Sequence, residues 1–259
     1  MNKEMLIASW NINGIRSAER ELLGFIDGFK PDFLLLQEVR ASINDLSLFL
    51  RYIPQYRLEF NYSGHPGYGG TALYYKENAP LEKVSCSTGE GILDNEGRSM
   101  IVQLGDLNIL NFYVPNGSRG GERLSYKIDF YKSIIRYAKD LVDKRYSVII
   151  GGDLNVAHTE KDLYCPAANK NHSGFLPVER ELFNEILGIG FLDSFRIFSS
   201  DGGCYTWWHM RDPKRERNNG WRFDYFLVSR QLEGRVRRST ILKDVFGSDH
   251  CPILLELER

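Results

Sequence analysis

Residues 147–155 read Ser-Val-Ile-Ile-Gly-Gly-Asp-Leu-Asn. Ser147 to Ile150 is a short apolar run of the kind that predicts a buried strand. Gly151 and Gly152 close it, and Asp153 and Asn155 follow at once. Ligand sites of layered α/β proteins commonly sit at such strand ends. The pattern recurs along the chain. Glu38 follows Leu34-Leu35-Leu36-Gln37, and Asn11 and Asn13 follow Ile7-Ala8-Ser9-Trp10. Asp249 and His250 follow Gly247-Ser248 and precede another apolar run.

Strand-like and helix-like segments alternate around these points. Strands are expected over residues 5–10, 33–36, 71–75, 100–104, 107–114, 147–150, 223–228 and 253–257. Gly105-Asp106 reads as a hairpin turn between two of them. Helices are expected over 19–30, 122–144 and 178–187. The longest carries Leu124, Ile128, Tyr131, Ile135, Ala138 and Val142 at the spacing of one buried face. Pro177 and Gly188 bracket the last helix, as the asymmetry of helix ends favours. Hairpins mixed with helices point to α/β layers with mixed sheets, not to a purely doubly wound fold.

The chain of 259 residues is 42% hydrophobic and 26% charged, with a formal net charge of -1, an ordinary composition for a folded enzyme. A protein of this balance that grips a polyanion must do so through a local basic surface. Cys86, Cys165, Cys204 and Cys251 form no C-x-x-C pair, so a zinc knuckle is not expected and a reducing compartment is. No signal-like stretch opens the chain, and no apolar run reaches the about 18 residues of a membrane span. The expectation is a cytoplasmic protein with no membrane association.

Carboxylates converging with amides and one imidazole suit a hard divalent cation and a phosphate ester. Taken singly, each residue has a plainer reading. Glu38 or Asp153 alone is a turn or cap residue, and His250 alone a buried structural histidine. The combination favours chemistry over structure.

Several longer segments stand in a telling order. They are W-N-I-N-G-I-R (10–16), L-Q-E (36–38), Y-V-P-N-G (113–117) and G-G-D-L-N-V-A-H (151–158), then G-F-L-P-V-E-R (174–180), Y-T-W-W (205–208), N-G-W-R-F-D-Y-F (219–226) and G-S-D-H-C-P (247–252). Together they closely resemble the exonuclease III family of abasic-site endonucleases, in the endonuclease/exonuclease/phosphatase superfamily. The resemblance runs over nearly the whole chain and implies a single catalytic domain, residues 1–259. The fold it implies is a four-layered α/β sandwich of two packed mixed β-sheets flanked by helices. It also implies Mg²⁺ dependence, with Mn²⁺ as a substitute. The implied reaction is cleavage of DNA 5′ to an abasic sugar, leaving a 3′-hydroxyl, with 3′→5′ exonuclease or 3′-end-cleaning activity besides. The partner is then double-stranded DNA with abasic sites or blocked 3′ ends, and the protein a monomer.

By the same resemblance Glu38 is the principal metal ligand, Asp249 holds the metal directly or through water, and Asn13 lies in the metal region. Asn13 is Asp in some relatives, and an amide is the weaker ligand, which leaves a second metal in doubt. Asp153 orients or deprotonates the attacking water, Asn155 and Tyr113 contact the scissile phosphate, and Asn11 supports Asp153. Asp224 and His250 form a carboxylate–imidazole pair. Arg16, Ser17, Gly67, Tyr68, Asn116, Arg119, Asn169 and Asn218 line the duplex, and Trp207, Trp221 and Phe223 form the pocket for the extruded sugar. The basic run Arg211, Lys214, Arg215, Arg217 and Arg222 is expected on a DNA-facing loop. Arg235, Arg237 and Arg238 read as surface charge.

Phosphodiester hydrolysis demands roughly 20 kcal/mol of barrier lowering. A general base supplies only about 10²–10⁴-fold. The larger share must come from charge stabilisation and positioning, which explains so many oxygen and amide groups together. Two alternatives remain open on sequence: the same fold acting on another phosphate ester, such as a phosphoinositide, sphingomyelin or poly(A), and a non-catalytic DNA-binding descendant.

Overall fold

The computed structural model describes residues 4–118, 120–209 and 215–259. Arg119, Arg211 and Lys214, all expected near DNA, lie outside the described residues. In chain order the strands are β1 (Glu4–Asn11), β2 (Phe33–Gln37), β3 (Tyr56–Asn61), β4 (Thr71–Lys76), β5 (Lys83–Ser85), β6 (Ser99–Leu104), β7 (Leu107–Tyr113), β8 (Ser147–Asp153), β9 (Phe191–Asp193), β10 (Asp224–Ser229), β11 (Val236–Ile241) and β12 (Ile253–Glu258). The helices that cover the sheets include α1 (Glu19–Phe29), α2 (Leu48–Arg51), α3 (Gly91–Asp94), α4 (Gly121–Asp143), α5 (Pro166–Asn169), α6 (Pro177–Gly188) and α7 (Ser194–Phe198).

The strands form two six-stranded sheets among the described residues, in the orders β11-β12-β1-β2-β4-β3 and β5-β6-β7-β8-β10-β9. Both are mixed: β1–β2 and β7–β8 run parallel, and the other pairs antiparallel. Alternate side chains leave each strand on opposite faces, so each buried run serves two cores. Ile7, Phe33, Leu35, Ile109, Ile149 and Phe226 meet between the sheets. Their chain neighbours Ala8, Leu34 and Leu36 pack outward under Leu22, Phe25 and Ile26 of α1. On the other side Leu110, Val148 and Ile150 pack under Phe130 and Ile134 of α4 and Phe183 and Ile186 of α6. The layers are helix, sheet, sheet, helix, as the resemblance implied.

Towards one end of the sandwich the layer between the sheets turns polar. Gln37 donates from Nε2 to Ser9 Oγ at 3.0 Å and to Asn111 Oδ1 at 2.8 Å. The strand ends beyond them carry the candidate site. Register pairs Asn11 with Gln37 in one sheet, and Asp153 with both Tyr113 and Asp224 in the other. The glycines before Asp153 make this approach possible. A Cβ on Gly151 would stand 2.8 Å from Leu35 and Phe226 side-chain atoms, and one on Gly152 2.1 Å from the Phe112 carbonyl oxygen.

Three expectations need correction. First, β3, β5, β9 and β11 were not expected, and they are the edge strands of the two sheets. An edge strand keeps a face or flank in water, so its apolar pattern is broken. Arg237 and Arg238, expected as surface charge, are exposed on β11, where charge protects an open edge. Second, the buried stripe of α4 runs through Lys127, Phe130, Tyr131, Ile134, Ala138 and Leu141. It is rotated from the expected face because Lys127, a residue normally assigned to solvent, points inward. Third, Arg222 is not a DNA-facing cation. It is buried, with its guanidinium 2.7 Å from Asp162 and 2.7 Å from Asp193. Arg215 is likewise spent internally, donating to the carbonyls of Lys243, Val245 and Ser248 and lying over the Trp208 and Phe246 rings.

Candidate active site

Glu38 sits just past β2 with φ 56°, a left-handed backbone that non-glycine residues seldom adopt. Pairing on both sides holds it there: Gly14 N donates to the Glu38 carbonyl at 2.8 Å, and Val39 N and Arg40 N donate to Gly70 and Gly69. A Cβ on Gly70 would lie 2.7 Å from Val39, so the Gly69-Gly70 pair serves this close approach. Asn155 is also left-handed, at φ 53°. Strained backbone of this kind concentrates at functional positions.

The side chains converge between the sheets. Asn11 donates from Nδ2 to Glu38 Oε2 at 3.0 Å and to Asp153 Oδ2 at 2.9 Å, joining one sheet to the other. Asp153 also accepts from the Asn155 backbone at 2.9 Å and from Asn155 Nδ2 at 3.1 Å. His250 Nδ1 meets Asp224 Oδ2 at 2.8 Å, while its Nε2 faces Asp153 Oδ2 at 4.0 Å. Asn13 Nδ2 and Trp207 Nε1 donate to the Asp249 carboxylate at 2.7 and 3.0 Å. Tyr113 lies beneath the Arg98 guanidinium, which is 4.5 Å from its ring centroid.

These surroundings set the charges. Burial raises the Asp153 carboxyl well above its ordinary value, His250 opposes the shift and Asp224 adds to it. Burial opposes a charge on His250, but Asp224, through its charge and its hydrogen bond, with Asp153 and Asp249, raises the imidazole above its ordinary value. Burial and the Glu38 charge keep the Tyr113 phenol protonated, against the pull of Arg98.

Glu38, Tyr113, Asp153, Asn155, Asp249 and His250 line one cleft of about 530 Å³. Asn116, Asn169, Trp207, Trp221 and Phe223 line it too, so the expected lesion pocket and catalytic groups share a wall. Phe223 stands 5.5 Å from Trp207 and 5.3 Å from Trp221, centroid to centroid. A neighbouring cavity of about 630 Å³ is larger but contains none of Glu38, Asp153, Asp224 and His250.

The remaining expected residues are placed less uniformly. Arg16 and Ser17 are exposed after β1, and Gly67 is in an open turn. Tyr68 stands outside the cleft floor but is coupled to it: Arg98 donates to its hydroxyl at 2.9 Å and also to the Tyr113 carbonyl at 3.0 Å. Asn218 does not line the cleft. It faces the neighbouring cavity, donating to the Gly203 carbonyl at 2.8 Å, and Asn219 lines the cleft instead.

Sequence reading missed the supports. Lys127 donates at 2.6 Å to both the Asn155 carbonyl and Glu179 Oε1. Glu179 also accepts from Ser173, Gly174 and Leu176, fixing the loop that brings Ser173 to the cleft. The G-F-L-P-V-E-R segment signalled this glutamate, though not its partner. His172 and His209 also line the cleft and carried no signal.

Two cation sites compete. Asp153, Asp224 and His250 place ligand atoms within 4.8 Å of one another. Yet His250 is hydrogen bonded to Asp224 and favours its charged form, and a charged imidazole has no lone pair for a metal. Glu38 fits better. It is a hard oxygen donor, and a half-exposed cation, the guanidinium of Arg40, already lies against its Oε1.

Residues 8–250 match the endonuclease/exonuclease/phosphatase family. The chain is 39% identical over 254 residues to an exodeoxyribonuclease of Bacillus subtilis, covering 97% of this chain and 98% of that protein. It is 37% identical to the DNA repair nuclease APEX1 of Danio rerio, over 98% of this chain and 82% of that protein. An AP endonuclease of Leishmania major shares the fold with a TM-score of 0.89 and 30% identity, over 99% of this chain and 88% of that structure. No helix among the described residues is long and apolar enough to cross a membrane.

Proposed function

The chain belongs to the endonuclease/exonuclease/phosphatase family, as a member of its exonuclease III branch of AP endonucleases, and from this we infer that it is a metal-dependent DNA phosphodiesterase of base excision repair. Its reaction is incision 5′ to an abasic site to leave a 3′-hydroxyl, with processing of 3′ ends. The observation that carries the reading is the single cleft in which Glu38, Asp153 and His250, the last held from behind by Asp224, meet an aromatic wall.

The residues divide the work. Asp153 accepts from Asn11 and Asn155, so its carboxylate is held in one orientation to receive the proton of an attacking water. Asn155 and the protonated Tyr113 hydroxyl supply neutral donors to the phosphate. His250, held charged by Asp224, offers Nε2–H to a phosphate oxygen on which negative charge develops. Glu38 would hold Mg²⁺ or, in its place, Mn²⁺, which when bound stabilises charge on phosphate oxygens. Trp207, Trp221 and Phe223 enclose a space for a sugar that lacks its base, and extruding such a site costs little unstacking. Asn116 and Asn169, which line the cleft, and Arg16, Ser17, Gly67 and Tyr68 would contact the duplex. The chain acts as a single-domain monomer in the cytoplasm.

Incision of an end-labelled duplex carrying one abasic analogue tests the reading. Matched duplexes with a nick, a blocked 3′ end or no lesion, and a phosphoinositide, complete the comparison. Cleavage of the phosphoinositide with the abasic duplex intact would refute it.

A further inference from the structure

Asp249 lies between the lesion-pocket wall and the strand ends that hold the catalytic groups. From one side Asn13, fixed in a left-handed backbone at φ 47°, donates from Nδ2 to Oδ1 at 2.7 Å. Asn13 also donates its backbone N–H to Asn11 Oδ1 at 3.1 Å, and Asn11 in turn bridges Glu38 and Asp153. From the other side Trp207 donates its indole N–H to Oδ2 at 3.0 Å while its ring forms the pocket wall with Phe223. Ser248 Oγ lies 3.3 Å from Oδ1. The main chain repeats the link: Trp208 N donates to the Asp249 carbonyl at 3.0 Å, and Trp207 bridges to His250.

The contrast with Glu38 is chemical. One Glu38 oxygen faces a half-exposed cation, the Arg40 guanidinium, whose place another cation can take. Both Asp249 oxygens face neutral N–H donors rooted in the structure. An indole N–H is a donor only and cannot become a ligand. A cation at Asp249 would have to share these oxygens with the Trp207 indole and Asn13 amide N–H groups, whose hydrogens already point at the carboxylate and would face the ion. We propose that the Asn13–Asp249–Trp207 bridge takes the place of a second cation site, so that Asp249 is a positioning residue tying the lesion pocket to the catalytic centre. The proposal rests on the placement of the one cation at Glu38.

Binding of Mn²⁺ alone to the whole protein, counted by the electron paramagnetic resonance of the free ion and by calorimetry, tests it. The wild-type chain and Asp249→Asn are expected to bind a single ion each. Asn13→Asp restores a carboxylate pair with Asp249 and is expected to bind a second. A wild-type chain that binds two ions, one of them lost in Asp249→Asn, overturns the proposal, as does an Asn13→Asp chain that still binds one. Glu38→Gln separates this from the parent reading. If that variant keeps its ion, the placement at Glu38 falls, while the count in Asp249→Asn still decides the bridge.

Discussion

His250 Nδ1 and Asp224 Oδ2 are 2.8 Å apart, and both side chains are buried. Burial alone would leave the imidazole neutral; the Asp224 charge and hydrogen bond outweigh it and raise the His250 pKa. A raised pKa keeps the ring charged at neutral pH, and the charge is lost only as pH climbs past the shifted value. In Asp224→Asn burial dominates, so the ring turns neutral at a lower pH. Nitrogen-15 NMR of the imidazole should show a charged ring at pH 7 in the wild type and a neutral one in the variant. Loss of a charged donor to the phosphate should lower kcat by about 10²–10³-fold. An unchanged imidazole titration would break the link.

Asp153→Asn keeps the shape of the site and removes the proton acceptor. Incision should fall by about 10²–10⁴-fold. Gel-shift affinity for an uncleavable abasic duplex should be retained, because Asp153 offers DNA no cationic or neutral donor. Near-normal incision would take Asp153 out of the chemistry.

Removing divalent cations with EDTA should stop incision while leaving duplex binding measurable, and Mg²⁺ should restore it. In Glu38→Gln the concentration of Mg²⁺ needed for half-maximal rate should rise sharply, since an amide is the weaker ligand for a hard cation. A titration indistinguishable from wild type would place the cation elsewhere.

Trp207→Ala opens the wall beside Phe223 and also strips a donor from Asp249. Discrimination between abasic and intact nucleotides should weaken, read as the ratio of kcat/KM on the two duplexes. A ratio equal to that of the wild type would remove Trp207 from the pocket.

Asp162 is fully buried between Arg222 and Arg196, at 2.7 and 2.5 Å. Burial pushes its carboxyl up, but the two guanidinium groups more than reverse this and hold it at about 2, below the ordinary 3.8. Its contribution to stability is therefore complete above pH 3.8 and is lost as pH falls towards about 2. Asp162→Ala leaves Arg222 buried with only Asp193, and should cost about 3–5 kcal/mol in urea unfolding at pH 7. The unfolding free energy of the variant should depend less on pH in that window. A loss below 1 kcal/mol, on the order of an exposed pair, would contradict the buried-pair account.

The interior strands β1, β2, β4, β6, β7, β8, β10 and β12 were all legible in the sequence, because a strand flanked on both sides writes a continuous apolar run. Asn11, Glu38 and Asp153 were legible as polar residues standing just past such runs, and His250 as one standing just before another. The edge strands were not legible, since half their surface meets water and their sequences read as ordinary exposed chain. Nor were Lys127, Arg98 and Arg222 in their true places. Local pattern assigns a charged side chain to solvent, and only a partner distant in sequence, Glu179 for Lys127 or Asp162 and Asp193 for Arg222, permits its burial. The sequence by itself therefore determined the layers, the strand ends that carry chemistry and the family. Tertiary structure alone decided which carboxylates share donors, which cations are spent inside, and how Asp249 is occupied. Those are properties of pairs separated by many residues, and hydrogen bonds and charges act through space, not along the chain.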